Sequence, residues 1–355
     1  YGYAALTDLK IDINNFLHTH VDEVINSMAV DLIKTLPQLE TLDLSSGDHA
    51  GLESLVSALE NIANLKALKY TANSRLRLEV DPVVVYAVNN VPIIGLKKIR
   101  KPDIIFLTEN LPTNTTVKML TLDINSGTSI AELGKGLATN TTLLELVIVS
   151  SDMNMFGVND FFRNLIPNTT LIDLAIRFQD DTSIPGIVDF LNENTTLEGL
   201  ALVMGMMRDI PYALITSVAN SKLLEFGLAV GTSQTPILPT ELFLNAIRNN
   251  TTLERLKLNI VRTDHMMLDP AVITDFLITN TKIEELTLLG DYPSLVFTAD
   301  QLDAIRRTNK TLLRIMLRED TNKAQELNQI TKRNSFNKQQ RGSLLLNLMF
   351  PHATK

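Results

Sequence analysis

The sequence predicts an α/β solenoid: short parallel strands on a concave face, helices on a convex face, one of each per repeat. Three observations predict it. A phrase L-x-x-L-x-L, with Ile, Val, Phe or Tyr standing in for Leu, recurs twelve times between residues 6 and 317. The steps between first positions run from 26 to 33 residues, and 26 is the commonest. Between the phrases, apolar residues return at helical spacing. A period this steady marks a repeat array, because one strand–helix unit cannot bury its own apolar face and must stack on its neighbours.

The strands come first. The phrases begin at Leu6, Leu39, Leu65, Val91, Val117, Leu143, Leu171, Leu197, Leu223, Leu253, Ile283 and Leu312. Their second and third apolar positions lie two apart, as Leu42 and Leu44 or Leu256 and Leu258, and so share one face of an extended chain. The helices follow. Leu52, Leu55 and Leu59 share one helical face, as do Ile130, Leu133 and Leu137, and Ile273, Phe276 and Leu277. Asp81-Pro82 and Asp269-Pro270 read as an N-cap followed by proline in the first turn. Helices are wider than the spacing of strands, so such a stack must curve into a horseshoe.

A third element joins each helix to the next strand. Asn114, Asn140, Asn168, Asn194, Asn220, Asn250, Asn280 and Asn309 each stand three residues before the first apolar residue of a phrase. Asparagine tolerates the left-handed conformation that ends helices, and its amide bonds nearby backbone. Six of these sites also read N-x-T, the acceptor pattern for N-glycosylation, but Asn220 and Asn280 keep the Asn without it. The repetition therefore favours a structural joint over a glycan site.

With the phrase N-x-x-L-x-x-L-x-L on the page, the chain resembles leucine-rich repeat proteins of the ribonuclease-inhibitor-like subtype. The likeness is best from Asn114 onward. It implies a horseshoe of about twelve repeats over residues 1–317 and a helical cap and tail over 318–355. Asn73 and Asn125 fit the family's usual Asn or Cys after the strand, whereas Gly47, Ser151, Gly205 and Val261 depart from it. Near the end, Arg333, Asn334 and a run to Arg341 are similar to the close of tropomodulin-like repeat domains. The apolar tail SLLLNLMFPH reads as cover for the last repeat.

Composition excludes whole classes of function. The chain has 355 residues, 45% hydrophobic and 20% charged, enough for a large core. Its net charge of −8 argues against nucleic acid and against anionic membrane surfaces. There is no cysteine, so thiolate nucleophiles and Cys-based metal sites are ruled out. No apolar run is long enough to span a bilayer. The opening YGYAALTDLKID lacks the pattern of a signal peptide, so a cytoplasmic location is expected.

Motifs for catalysis are missing. Gly127 to Gly134-Lys135 leaves six residues where a P-loop has four, and Gly136 stands where Ser or Thr belongs; the stretch reads as a repeat helix. His18 and His20 are two apart and do not share a helical face. Asp180-Asp181 reads as a solvated turn. No catalytic, metal or cofactor residue is predicted, and the expected role is a non-enzymatic scaffold, monomeric alone, that binds another protein.

The concave face is the expected site. Early units present Asp8, Lys10, Asp12, Thr41, Asp43 and Ser45 there. Middle units present Glu145, Val147, Val149, Asp173, Ala175, Arg177, Ala201, Val203 and Glu225. Late units present Arg255, Lys257, Asn259, Glu285, Thr287, Arg314, Met316 and Arg318. A small, apolar middle beside a basic end suits a partner with a dry contact and acidic groups. Three alternatives stay open: a tropomodulin-like actin-binding protein; a bacterial effector or regulator that binds or inhibits a host or co-delivered protein, in which case the location would be the host cytosol; and a hydrolase or transferase with a site assembled from the irregular loops.

Overall fold

The computed structural model describes residues 6–10, 28, 30–44, 52–72, 79–125, 129–150, 156–178, 184–207, 210–232, 239–262, 269–289, 297–312 and 314–317. The expected cap over 318–355 lies outside them, as do Asp12, His18, His20, Ser45, Asp180, Asp181 and Arg318.

Two compact units divide the chain, Tyr1–Leu171 and Ile172–Lys355. The first carries strands β1 (Asp8–Lys10), β2 (Thr41–Leu44), β3 (Ala67–Thr71), β4 (Ile93–Ile99), β5 (Met119–Ile124) and β6 (Glu145–Ser150). They pair in sequence order and all run parallel. Helices α1 (Leu52–Glu60), α2 (Pro82–Asn90), α3 (Lys101–Asn110), α4 (Ala131–Ala138) and α5 (Val158–Leu165) alternate with them. The second unit carries β7 (Asp173–Phe178), β8 (Gly199–Met207), β9 (Glu225–Thr232), β10 (Arg255–Arg262), β11 (Glu285–Leu289) and β12 (Arg314–Leu317), again parallel and in order. Its helices are α6 (Ile184–Glu193), α7 (Tyr212–Asn220), α8 (Pro239–Ile247), α9 (Pro270–Thr279) and α10 (Ala299–Thr308). Strand and helix alternate throughout the described residues. This is the leucine-rich-repeat-like architecture that the twelve phrases predict.

Each strand turns alternate residues toward its helices, and those residues make the core. Leu42, Leu68, Leu122, Leu174, Leu228 and Leu286 have no exposed surface. Aromatic rings fill the wider spaces. Phe226 stacks on Phe243 with centroids 5.8 Å apart, and Phe161 meets Phe162 edge-on at 5.5 Å. Burying one such side chain contributes roughly 1.5–3 kcal/mol.

Helix starts follow the sequence signals. The Asp81 carboxylate accepts from Val83 N–H at 2.9 Å and that of Asp269 accepts from Ala271 N–H at 2.7 Å, each with proline following. Thr298 and Gln301 close a reciprocal capping box on α10. The two glycines of the false P-loop have a packing role. A Cβ on Gly134 would stand 2.5 Å from the Phe161 carbonyl oxygen, and one on Gly136 would stand 2.5 Å from that of Thr108. They let α4 lie close against both neighbouring helices.

The asparagine joint works by another conformation than the sequence suggests. Asn114, Asn280 and Asn309 are extended, with φ between −70° and −84°, and the one non-glycine residue with positive φ among the described residues is Lys98. The side chain does the work. In Asn140, Oδ1 accepts from Thr142 N–H at 3.0 Å and Leu143 N–H at 2.7 Å, while Nδ2 donates back to the Leu111 carbonyl at 2.5 Å. Asn168, Asn250, Asn280 and Asn309 repeat the arrangement. Each asparagine thus shapes its own turn and ties it to the previous repeat. Asn220 departs from the set: it ends helix α7, and the Ser221 hydroxyl takes over, donating to the Val218 carbonyl at 2.8 Å. The buried, bonded amides of Asn140, Asn168 and Asn309 are poor glycan acceptors in the folded chain.

Candidate protein-binding face

The strand residues that point away from the helices form rows across neighbouring strands. In the Ile172–Lys355 unit the first row reads Asp173, Gly199, Glu225, Arg255, Glu285, Arg314. Its last four members alternate in sign, one on each of β9 to β12, where strands lie about 4.8 Å apart. Arg255 Nε donates to Glu225 Oε2 at 2.6 Å. The Glu225 side chain is 2% exposed and that of Arg255 22%. Burial draws the Arg255 pKa down, but the charge and hydrogen bond of Glu225, with Glu285 and Glu254 behind them, outweigh it and the net shift is upward. Burial raises the Glu285 pKa, against the pull of Arg314 and Arg255.

The second row lies two residues further along: Ala175, Ala201, Gly227, Lys257, Thr287. Ala175 and Ala201 have no exposed surface, and Lys257 is 5% exposed. Burial first and Arg314 after it lower the Lys257 pKa, Glu225 and Glu285 oppose them, and the net result is about 8. In the third row Arg177 is exposed and Val203 and Ala229 are half-buried. The expected basic end is therefore a mixed ionic row with an ammonium group beneath it. The small residues of the second row are largely covered, and the accessible side chains of this face include Arg177, Val203, Ala229 and Arg314.

Asp173 explains one glycine. A Cβ on Gly199 would come within 2.0 Å of Asp173 Oδ1, so only glycine lets that carboxylate lie over β8.

In the Tyr1–Leu171 unit, Val147 is 6% exposed and Glu145 and Val149 are half-buried. Burial raises the Glu145 pKa. This unit also holds a polar network that the sequence does not announce. Tyr70 Oη donates to Asp81 Oδ2 at 3.0 Å, and Asp81 N–H donates to Asp103 Oδ1 at 3.2 Å. Asp103 is fully buried, which raises its pKa, and the Arg100 Nε stands 3.7 Å from its carboxylate. The network ties the starts of α2 and α3 to β3 and serves the fold.

Sequence reasoning placed Glu285 on this face without giving it a role. The signal was present: the same position of four successive repeats reads Glu, Arg, Glu, Arg. Among the described residues no group of His, Cys, Asp and Glu is placed to hold a metal ion, and no helix is long and apolar enough to cross a membrane.

No protein-family model matches the chain, and no curated protein sequence matches it. Among solved structures it is similar to one described as the crystal structure of the Rad7 and Elc1 complex in yeast. The identity is 15% and the TM-score 0.43, over 83% of this chain and 79% of that one. A likeness at that level carries no argument about function.

Proposed function

We propose that the chain is a non-enzymatic protein-binding scaffold, of the ribonuclease-inhibitor-like leucine-rich-repeat subtype, that takes a protein partner on the strand face of β7 to β12. The observation that supports this most is the ionic row. Arg255 is held by Glu225 before any partner arrives. Fixing a long side chain at an interface costs about 0.5–1.5 kcal/mol, and here that ordering accompanies folding. The half-buried Val203 and Ala229 offer an apolar contact, and the exposed Arg177 and Arg314 offer donors to carboxylates.

The test is an affinity capture from cell lysate, followed by mass spectrometry. Wild type is compared with Arg177→Glu/Val203→Asp/Arg314→Glu, which changes accessible residues and spares the buried Ala175 and Ala201. A protein held by the wild type and lost by the folded variant supports the reading. Equal capture by both removes the partner from this face.

A further inference from the structure

We propose a second docking surface, on the strand face of β3 to β5, whose occupant is an extended acidic segment of another protein carrying apolar side chains. It stands on different residues from the reading above and does not depend on it. Ala67, Ile93 and Met119 are register partners across these strands. Ile93 is 41% exposed, and its two row neighbours are half-buried. An apolar strip of this kind on a sheet face gains by being covered.

The charge beside the strip is positive. Lys69 lies one row along, and its Cγ would stand 3.3 Å from a Cβ on Gly95, so the lysine leans over β4. Lys97 lies two rows along on β4 itself. Both are exposed, and neither makes an ion pair among the described residues. The next residue, Lys98, has φ of 58° within a register shift between Leu96 and Ile99. Strict alternation would turn one of two successive lysines into the core. The bulge leaves Lys97 and Lys98 both exposed and still buries Ile99 completely. Strained backbone kept in this way clusters at functional sites. Across β3 to β5 the strand face carries Lys69 and Lys97 against one acid, Asp123. Asp43 on β2 and Glu145 on β6 flank these strands. A surplus of positive charge on this face stands out in a chain of net charge −8.

The geometry selects an extended occupant. Lys69 is a diagonal neighbour of Ile93 on the parallel strand β3, about 8 Å away at the backbone. An extended segment places side chains i and i+2 on one side, about 6.6–6.8 Å apart. One apolar residue then covers the strip while a carboxylate two positions on reaches a lysine.

The experiment selects dodecamer peptides from a random display library on the full-length wild type, with counter-selection on Ile93→Asp/Lys97→Glu. Affinities of the selected peptides are then measured by fluorescence anisotropy. The proposal expects sequences that pair Asp or Glu with Leu, Ile or Phe two positions away. Lys97→Glu or Ile93→Ser should weaken them by at least about tenfold, and Arg177→Glu/Arg314→Glu should not. Ile93→Ser and Lys97→Glu, each checked by circular dichroism, carry the test if the double variant fails to fold. No enrichment, enriched peptides without acidic residues, or affinities indifferent to Lys97 and Ile93 would overturn it. Equal capture of the lysate partner by wild type and Arg177→Glu/Val203→Asp/Arg314→Glu, with these peptides still bound, would sink only the other surface.

Discussion

Nε of Arg255 lies 2.6 Å from Oε2 of Glu225 on the adjacent strand, and the pair forms half of a row in which four charges alternate across β9 to β12. Because Glu225 is almost fully covered, removing its partner strands a buried carboxylate. Arg255→Leu should cost about 3–5 kcal/mol in urea denaturation, and Glu225→Leu/Arg255→Leu should recover much of that loss. A double variant as unstable as the sum of the single ones would mean the two side chains are not coupled.

The asparagine joints should matter in proportion to their burial. Asn140→Ala removes an acceptor from two backbone N–H groups and a donor to the previous repeat, all near a side chain only 2% exposed. A loss of about 2–3 kcal/mol is expected. Asn194 is half-buried, so Asn194→Ala should cost less. Equal losses at both positions would argue that burial does not set the cost.

Close helix packing gives a third prediction. Gly134→Ala forces a methyl group toward the Phe161 carbonyl, where backbone must move, and about 1–3 kcal/mol should be lost. Gly95→Ala meets only the Lys69 side chain at 3.3 Å, which can swing away, and should change stability by less than about 1 kcal/mol. Thermal denaturation of the two variants side by side decides this.

Lys257 should leave a signature in alkaline solution. Burial first, and Arg314 after it, hold its folded pKa at about 8, whereas in the unfolded chain a lysine titrates near 10.4. Between those values the unfolded chain binds more protons, so this residue makes stability rise with pH. Below about 8 its buried charge weighs fully on the fold, and above about 10.4 that cost is gone. Lys257→Met lacks the effect. The stability of wild type relative to this variant should therefore climb from pH 7.5 to 10.5, measured by urea midpoints. A flat difference would show that the ammonium group is not desolvated.

The repeats were legible because their cause is periodic. Leu42, Leu68 and Leu120 occupy the same position of their repeats, and burial of that position needs no knowledge of any other unit. The Asn joint was legible in place but not in form, since Asn140 uses its side chain to bridge repeats rather than a left-handed backbone, and a carbonyl 29 residues earlier is invisible to local propensity. The face was half legible. Those of its residues that are described fall on the strands, but their exposure depends on neighbours: Ala201 has no exposed surface, and Lys257 is 5% exposed. Ile93, Met119 and Lys97 occupy the same positions in earlier repeats and were passed over, because the sequence alone did not mark the bulge at Lys98.

The most direct measurement is site-specific photo-crosslinking in lysate, with benzoylphenylalanine placed either at Val203 on the strand face or at Tyr212, which is 68% exposed on helix α7. The account predicts a protein adduct from Val203 and none from Tyr212. An adduct from Tyr212 with none from Val203 would contradict it, and would move recognition from the strands to the helices.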